Sequence, residues 1–202
     1  MLKKIDKLLC WLARILFGGL VVFELLNKFK VLHAELSFTW DGLLLTVGVV
    51  WFLVEGLSFF LKRKTSQPLF GWSKLAAALA VYVDAVGDIA LGYAKYGWYD
   101  QAAHLIGGGA VGGLIFVFLR LLVEKRVIRI GGVALLIFSV GLAGFLGSIY
   151  EMEEYLEDYF TGSHRLGDGF DTANDMMLNT LGAVFVISLA LVFKKKEREE
   201  HK

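Results

Sequence analysis

Six apolar stretches, each interrupted by polar positions at regular spacing, dominate the chain. They run over roughly 8–26, 41–61, 74–96, 99–123, 130–157 and 171–193. Each is near the ~20 residues that a helix needs to cross ~30 Å of hydrocarbon. The pattern predicts an all-α polytopic membrane helix bundle, with a single transmembrane helical domain over 1–202. The third and fifth stretches read as the least apolar, which predicts interior helices. Pro68 is the only proline and falls in the loop Lys62–Gly71, so no span is kinked by proline. The first stretch follows Lys3, Lys4 and Lys7 without a small-residue cleavage site, and reads as a retained span.

The polar positions fall on helix faces, because residues four apart share a face. Asp84, Asp88 and Gly92 align in the third span. Asp100, His104, Gly108 and Gly112 align in the fourth. The fifth carries Gly141, Gly144, Ser148, Glu151, Tyr155 and Asp158, and the sixth Asp171, Asp175, Asn179 and Gly182. Each polar stripe continues as small residues, which let membrane helices approach closely. The stripes are therefore expected to face one another inside the bundle, with the glycines packing its lower half.

Basic residues give an orientation. Lys3, Lys4, Lys7, Lys62, Arg63, Lys64, Lys74, Arg120, Lys125, Arg126, Arg129, Lys194, Lys195, Lys196, Arg198 and Lys202 fall on one side. Only Lys28, Lys30, Lys95 and Arg165 fall on the other, and Arg14 lies within the first span. The positive-inside rule puts both termini in the cytoplasm of a multi-pass cell-membrane protein. On that topology Asp100 and His104 open the fourth span from the outer side, Asp171 and Asp175 open the sixth, and Glu151 ends the fifth. Asp88 is expected ~12 Å below the outer end of the third span, with Asp84 one turn deeper. Acids from four helices thus converge on the extracytoplasmic half. Burying each costs at least ~2.5–3.5 kcal/mol by insertion scales, so repeated burial points to use.

Composition narrows the chemistry. The formal net charge is +1, which gives nucleic-acid binding no electrostatic support. Cys10 is the single cysteine, so the chain has no internal disulfide and no cysteine zinc motif. Carboxylates with one imidazole suit a divalent cation: Mg²⁺, Mn²⁺ or Ca²⁺ by the oxygens, Zn²⁺ once histidine joins. Such an ion would activate water or polarise a phosphoryl oxygen. Without an ion, crowded carboxylates would hold protons and serve as acid and base. Arg165, in the glycine-rich loop Thr161–Phe170, is a candidate anion ligand.

Structural readings compete with these. Asp171 is a candidate N-cap of the sixth span. Glu153, Glu154, Glu157 and Asp158 read as solvated interface acids, with Glu154 the foremost exception. Glu24 and Glu55 read as isolated structural acids. The runs Gly107–Gly109 and Gly112–Gly113 read as packing, and Ser148 lacks the neighbours of a nucleophile.

Two runs resemble a known family. Tyr99-Asp100-Gln101-Ala102-Ala103-His104, followed by glycines, resembles the D-x-x-x-H element of VanZ-like membrane proteins and of YjdF-type inner-membrane proteins. Gly169 to Ala183, with Asp171-Thr172 and Asp175-Met176 and then Asn179, resembles their later aspartate element. Glu151 takes the place of their acid on the intervening helix, and Arg165 of the arginine before the final motif. Gln101 stands where VanZ proteins often carry lysine, and Glu154 where they often carry glutamine. The likeness covers roughly 98–185 and implies a polytopic envelope protein.

The leading expectation is a metal-dependent hydrolase or transferase acting on a lipid or lipid-linked phosphate at the outer leaflet. Asp100, His104, Glu151, Asp171 and Asp175 would be ligands or acid and base groups. Asp84, Asp88 and Asn179 would support them, and Arg165 would bind an anion. A proton- or cation-coupled carrier is the alternative, with Glu55 extending a path inward. A binding or scaffold protein, its acids only locking the bundle, is the third.

Overall fold

A computed structural model describes the backbone of residues 2–200 and the side chains of 3–193. Lys202 lies outside the described residues, as do the side chains of Lys194, Lys195, Lys196 and Arg198. The described residues form seven helices and no strand: α1 (Leu2–Lys28), α2 (Trp40–Thr65), α3 (Gly71–Ile89), α4 (Gly92–Lys95), α5 (Tyr99–Glu124), α6 (Gly132–Thr161) and α7 (Gly169–Glu200). All backbone hydrogen bonding of a spanning segment must be internal in lipid, and helices satisfy it. Large apolar side chains such as Leu8, Phe52, Phe59, Val133, Phe145 and Phe185 stay exposed on the outside of the bundle. On a soluble protein so much exposed apolar surface would be a liability; in lipid it is the required surface.

Five helices, α1, α2, α5, α6 and α7, are long and apolar enough to cross a membrane. α3 differs. It has 19 residues, carries Lys74, Asp84 and Asp88, and buries those three with Gly71, Ser73, Ala77, Ala78, Val81, Ala85 and Gly87. It is the interior helix that its polarity predicts. α6 corrects the parallel expectation: its apolar window is as hydrophobic as those of its neighbours and only 17% buried, so it faces outward along most of its length.

Capping explains the ends. Thr39 precedes α2 in extended conformation and accepts a hydrogen bond from the Gly42 N–H at 3.1 Å. Ser66 closes that helix in the left-handed region, and Lys62, Arg63 and Lys64 complement its negative end. α3 stops at Ile89 because Leu91 turns left-handed (φ 58°). The predicted third span to residue 96 is therefore too long, and Gly92 begins α4 instead of extending the Asp84–Asp88 face. Asp88 sits at the end of its helix, not ~12 Å below it. Lys74 is not a loop cation but a buried residue in the first turn of α3.

Helix packing follows the small residues. α5 and α7 make the most intimate pair, and α6 lies against both. A side chain at Gly108 would strike the backbone of Asn179, and one at Gly182 would strike the Leu105 carbonyl. The expected glycine seam is thus present. Elsewhere Phe17, Leu20, Leu43, Val47, Val54, Ala78, Val81 and Ala85 form the core between α1, α2 and α3. Phe17 stacks on Trp51 at 5.8 Å.

The register of α6 needs correction. Its buried face runs Ser139, Ala143, Gly147, Glu151, Glu154 and Glu157. Tyr155 is exposed, and a side chain at Gly141 would meet nothing. Glu154 and Glu157 are therefore interior residues and not solvated interface acids.

Candidate metal centre

The tight α5–α7 seam sets His104 beside Asp175 and Asn179, and α6 brings Glu151 to the same place. His104 is buried, as are Glu151, Asp175 and Asn179, while Asp100 is half-buried. The imidazole has two occupied faces. Its Nε2 lies 3.5 Å from Asp100 Oδ1 and 3.8 Å from Asp175 Oδ2. Its Nδ1 lies 3.1 Å from the Asn179 amide and 3.7 Å from Glu151 Oε1. Ligand atoms of Asp100, His104 and Asp175 lie within 4.8 Å of one another, and so do those of His104, Glu151 and Glu154.

These spacings carry chemical information. Hydrogen bonds place such atoms ~2.7–3.2 Å apart. Two atoms that each bind one ion at ~2.0–2.2 Å, in tetrahedral geometry, lie ~3.4 Å apart. The carboxylates stand off from Nε2 at the second kind of distance. Both oxygens of Glu151, Oδ1 of Asp175 and Oδ2 of Asp100 are buried without a hydrogen-bond partner. Buried polar atoms in folded proteins are nearly always partnered, so four orphans around one imidazole call for a ligand or protons. Asp100, His104 and Asp175 could hold a divalent ion, with Glu151 and Glu154 reaching the same imidazole from its other face.

Asp171 lies one turn before Asp175, at the mouth of the site. With Gln101, Asp168, Phe170 and Asn174 it lines an open depression of about 580 Å³. The cap of α7 is Asp168, whose Oδ1 accepts from the N–H groups of Phe170 at 2.8 Å and Asp171 at 3.0 Å. Asp171 is thus spared the capping role.

Arg165 occupies a second, adjoining chamber. Nε donates to Glu154 at 2.9 Å, Nη1 to Glu157 at 3.4 Å, and Nη2 to Asp84 at 3.1 Å and to the Tyr150 hydroxyl. Its guanidinium also lies against the rings of Phe38 and Tyr150. Burial works against its charge, yet Tyr150, Asp84 and Glu154 hold its pKa well above the ordinary guanidinium value. The donors proposed for an anion thus face carboxylates inside the bundle. Asp158 anchors the loop by accepting from the N–H groups of Arg165 at 2.8 Å and Leu166 at 3.0 Å.

Tyr150 joins the chambers: its ring meets His104 edge-to-face at 5.8 Å, and its hydroxyl meets Arg165. It was invisible as a site residue because a tyrosine in an apolar helix reads as packing. Asp84 faces Arg165, and Tyr93 donates to it at 2.7 Å. Asp88 turns to the α1–α2 connection, where its Oδ1 accepts from Ser37 N at 2.7 Å and Phe38 N at 2.9 Å. Of the supporting residues, then, only Asn179 touches His104. Glu55 is not isolated: it pairs with Arg14 at 2.8 Å and with Lys74 at 2.9 Å at the opposite end of the bundle.

Fold and site together define a polytopic helical membrane protein with a buried acid-and-histidine cluster at one end. The chain belongs to the family described as "Predicted membrane protein (DUF2238)", which matches residues 10–196. No curated protein and no solved structure shows significant similarity to it.

Proposed function

We propose that the protein is a metal-dependent hydrolase or transferase of the VanZ-like kind, acting on a lipid or lipid-linked phosphate. One observation carries the reading: carboxylates stand at metal-ligand spacing around Nε2 of a buried histidine, with their remaining oxygens unpartnered. The ion sits on the Nε2 face, bound by Asp100, His104 and Asp175, next to the open depression. Asn179 meets Nδ1 through its amide nitrogen, and turning that amide over presents its oxygen to an Nδ1 proton and frees Nε2 for the ion. Glu151 is the acid and base group on the inner side. Asp171 lines the path by which a headgroup enters. Such an ion polarises a phosphoryl oxygen and lowers the pKa of bound water. Arg165 orients Glu154 and Tyr150 in this scheme. The excess of basic residues at the opposite end supports a site at the outer face, with both termini in the cytoplasm.

The carrier reading has weaker support. Buried apolar residues separate the two ionic ends on each helix that would carry a path: Phe17 and Leu20 on α1, Val47 and Val54 on α2, Ala78 and Val81 on α3.

Metal analysis of the purified protein in lipid nanodiscs tests the proposal, paired with phosphate release from lipid-linked phosphates. One divalent ion per chain, lost together with turnover in His104→Ala and Asp175→Asn, is the expected result. A metal-free protein, or turnover indifferent to both substitutions, would discard the reading.

A further inference from the structure

The imidazole of His104 has a second set of donors on its Nδ1 side, and an ion on Nε2 does not use it. A ring nitrogen of His104 and one oxygen each of Glu151 and Glu154 all lie within 4.8 Å of one another, and all three residues are buried. Glu151 Oε1 lies 3.7 Å from Nδ1, and the Asn179 amide nitrogen lies 3.1 Å from it. These distances fall on either side of the ~3.4 Å between two atoms that share one tetrahedral ion. Glu151 is 4% exposed, and neither of its oxygens has a partner. Arg165 Nε holds Glu154 Oε1 at 2.9 Å, which fixes that carboxylate in place. Charge points the same way. Asp84, Glu154 and Glu157 surround Arg165, while Asp100, Glu151 and Asp175 surround His104. One guanidinium and one divalent ion offset only three of these six carboxylates. The remainder is too costly to bury ionised without further cations or protons.

We propose that Nδ1 of His104, Glu151, Glu154 and Asn179 form a second site, for Zn²⁺, so that one imidazole bridges two ions. The proposal rests on the ion assigned to Nε2. Two carboxylates, an imidazole nitrogen and an amide oxygen are a nitrogen-and-oxygen donor set of the number that four-coordinate Zn²⁺ takes. Asn179 sets the order of binding. Its amide nitrogen faces Nδ1, and an amide N–H is a donor that repels a cation. Filling the Nε2 side turns the amide over, and its oxygen then faces Nδ1 as a further ligand. The second ion takes the place of the Nδ1 proton, which passes to the solvent. The two ions therefore bind in sequence, the Nε2 side first.

The test is Zn²⁺ titration of the chelator-stripped full chain in nanodiscs, with bound zinc counted per chain and thermal unfolding followed alongside. The parent is expected to take up two ions in two steps. Glu151→Gln loses no protein partner, and Glu154→Gln keeps an acceptor for Arg165, so both are expected to stay folded. Each is expected to keep the first ion and to weaken the second at least about tenfold. Asp175→Asn is expected to lose both. A second ion held equally well in the two glutamine variants overturns the proposal, as does one held by Asp175→Asn as tightly as by the parent. A single ion, kept in the glutamine variants and lost in Asp175→Asn, overturns the second site and leaves the hydrolase or transferase reading standing. A parent that takes up no ion overturns both.

Discussion

Two ionic clusters lie at opposite ends of this bundle, and they are built on opposite charge balances. At one end Glu55 is met by Arg14 and by the buried Lys74, so two cations serve one acid. At the other end one imidazole faces Asp100, Asp175 and Glu151, and one guanidinium faces Asp84, Glu154 and Glu157. The first cluster satisfies itself and needs nothing further. The second leaves buried oxygens unpartnered, which calls for a ligand or for protons. The difference teaches that burial of charge alone does not mark a site; an unbalanced count of donors and acceptors does.

Substitutions at the two ends should behave in opposite ways. Arg165→Gln has the largest expected effect, because it strands Glu154, Glu157 and Asp84 together. Breaking a buried pair of this kind costs about 3–5 kcal/mol, read as lost thermal stability in detergent. Glu151→Gln should leave the ion-free protein at least as stable, since it removes a buried charge without a partner. Asp175→Asn, which removes a carboxylate from the Nε2 face, should abolish stabilisation by divalent ions, which amounts to ~2.7 kcal/mol when the ion is at a hundredfold excess over Kd. Gly182→Ala should cost about 1–3 kcal/mol, because the added carbon meets the Leu105 backbone and not a movable side chain. Lys74→Met should cost roughly 1 kcal/mol, as the half-exposed Glu55 keeps Arg14. Arg14→Gln should also cost roughly 1 kcal/mol, since Glu55 keeps Lys74 while the half-exposed Arg14, inside the first span, loses a charge that lipid disfavours. An ion-dependent gain in stability that survives Asp175→Asn would erase the contrast between the ends.

Much of this was legible in the residues. Apolar length fixes the spanning helices, and four-residue spacing places Asp100 with His104 and Asp175 with Asn179. Small residues in the same stripes foretell the α5–α7 seam. What escaped depends on partners distant in the chain. Glu157 looks like a surface acid until Arg165 folds back onto it, and Arg165 looks like an anion ligand until Glu154 and Asp84 surround it. Lys74 counts as a loop charge until Glu55, on the neighbouring helix, draws it inward. The break after Ile89 is equally hidden, because leucine at a left-handed position is rare and Leu91 gives no local warning.

The glycine seam also decides which parts of the bundle can shift. α5 and α7 touch backbone to backbone, with no side chain between them to yield, so they travel as one rigid unit. Movement around the cluster must come instead from α6 or from the segment that carries Arg165. That segment is bounded by Gly162 and Gly167, both in the left-handed region at φ 72° and 69°, which makes them its natural hinges. Swinging it outward withdraws Arg165 from Tyr150, and Tyr150 is the ring that rests on His104. The Arg165 segment and the buried histidine are therefore mechanically joined through a single aromatic side chain.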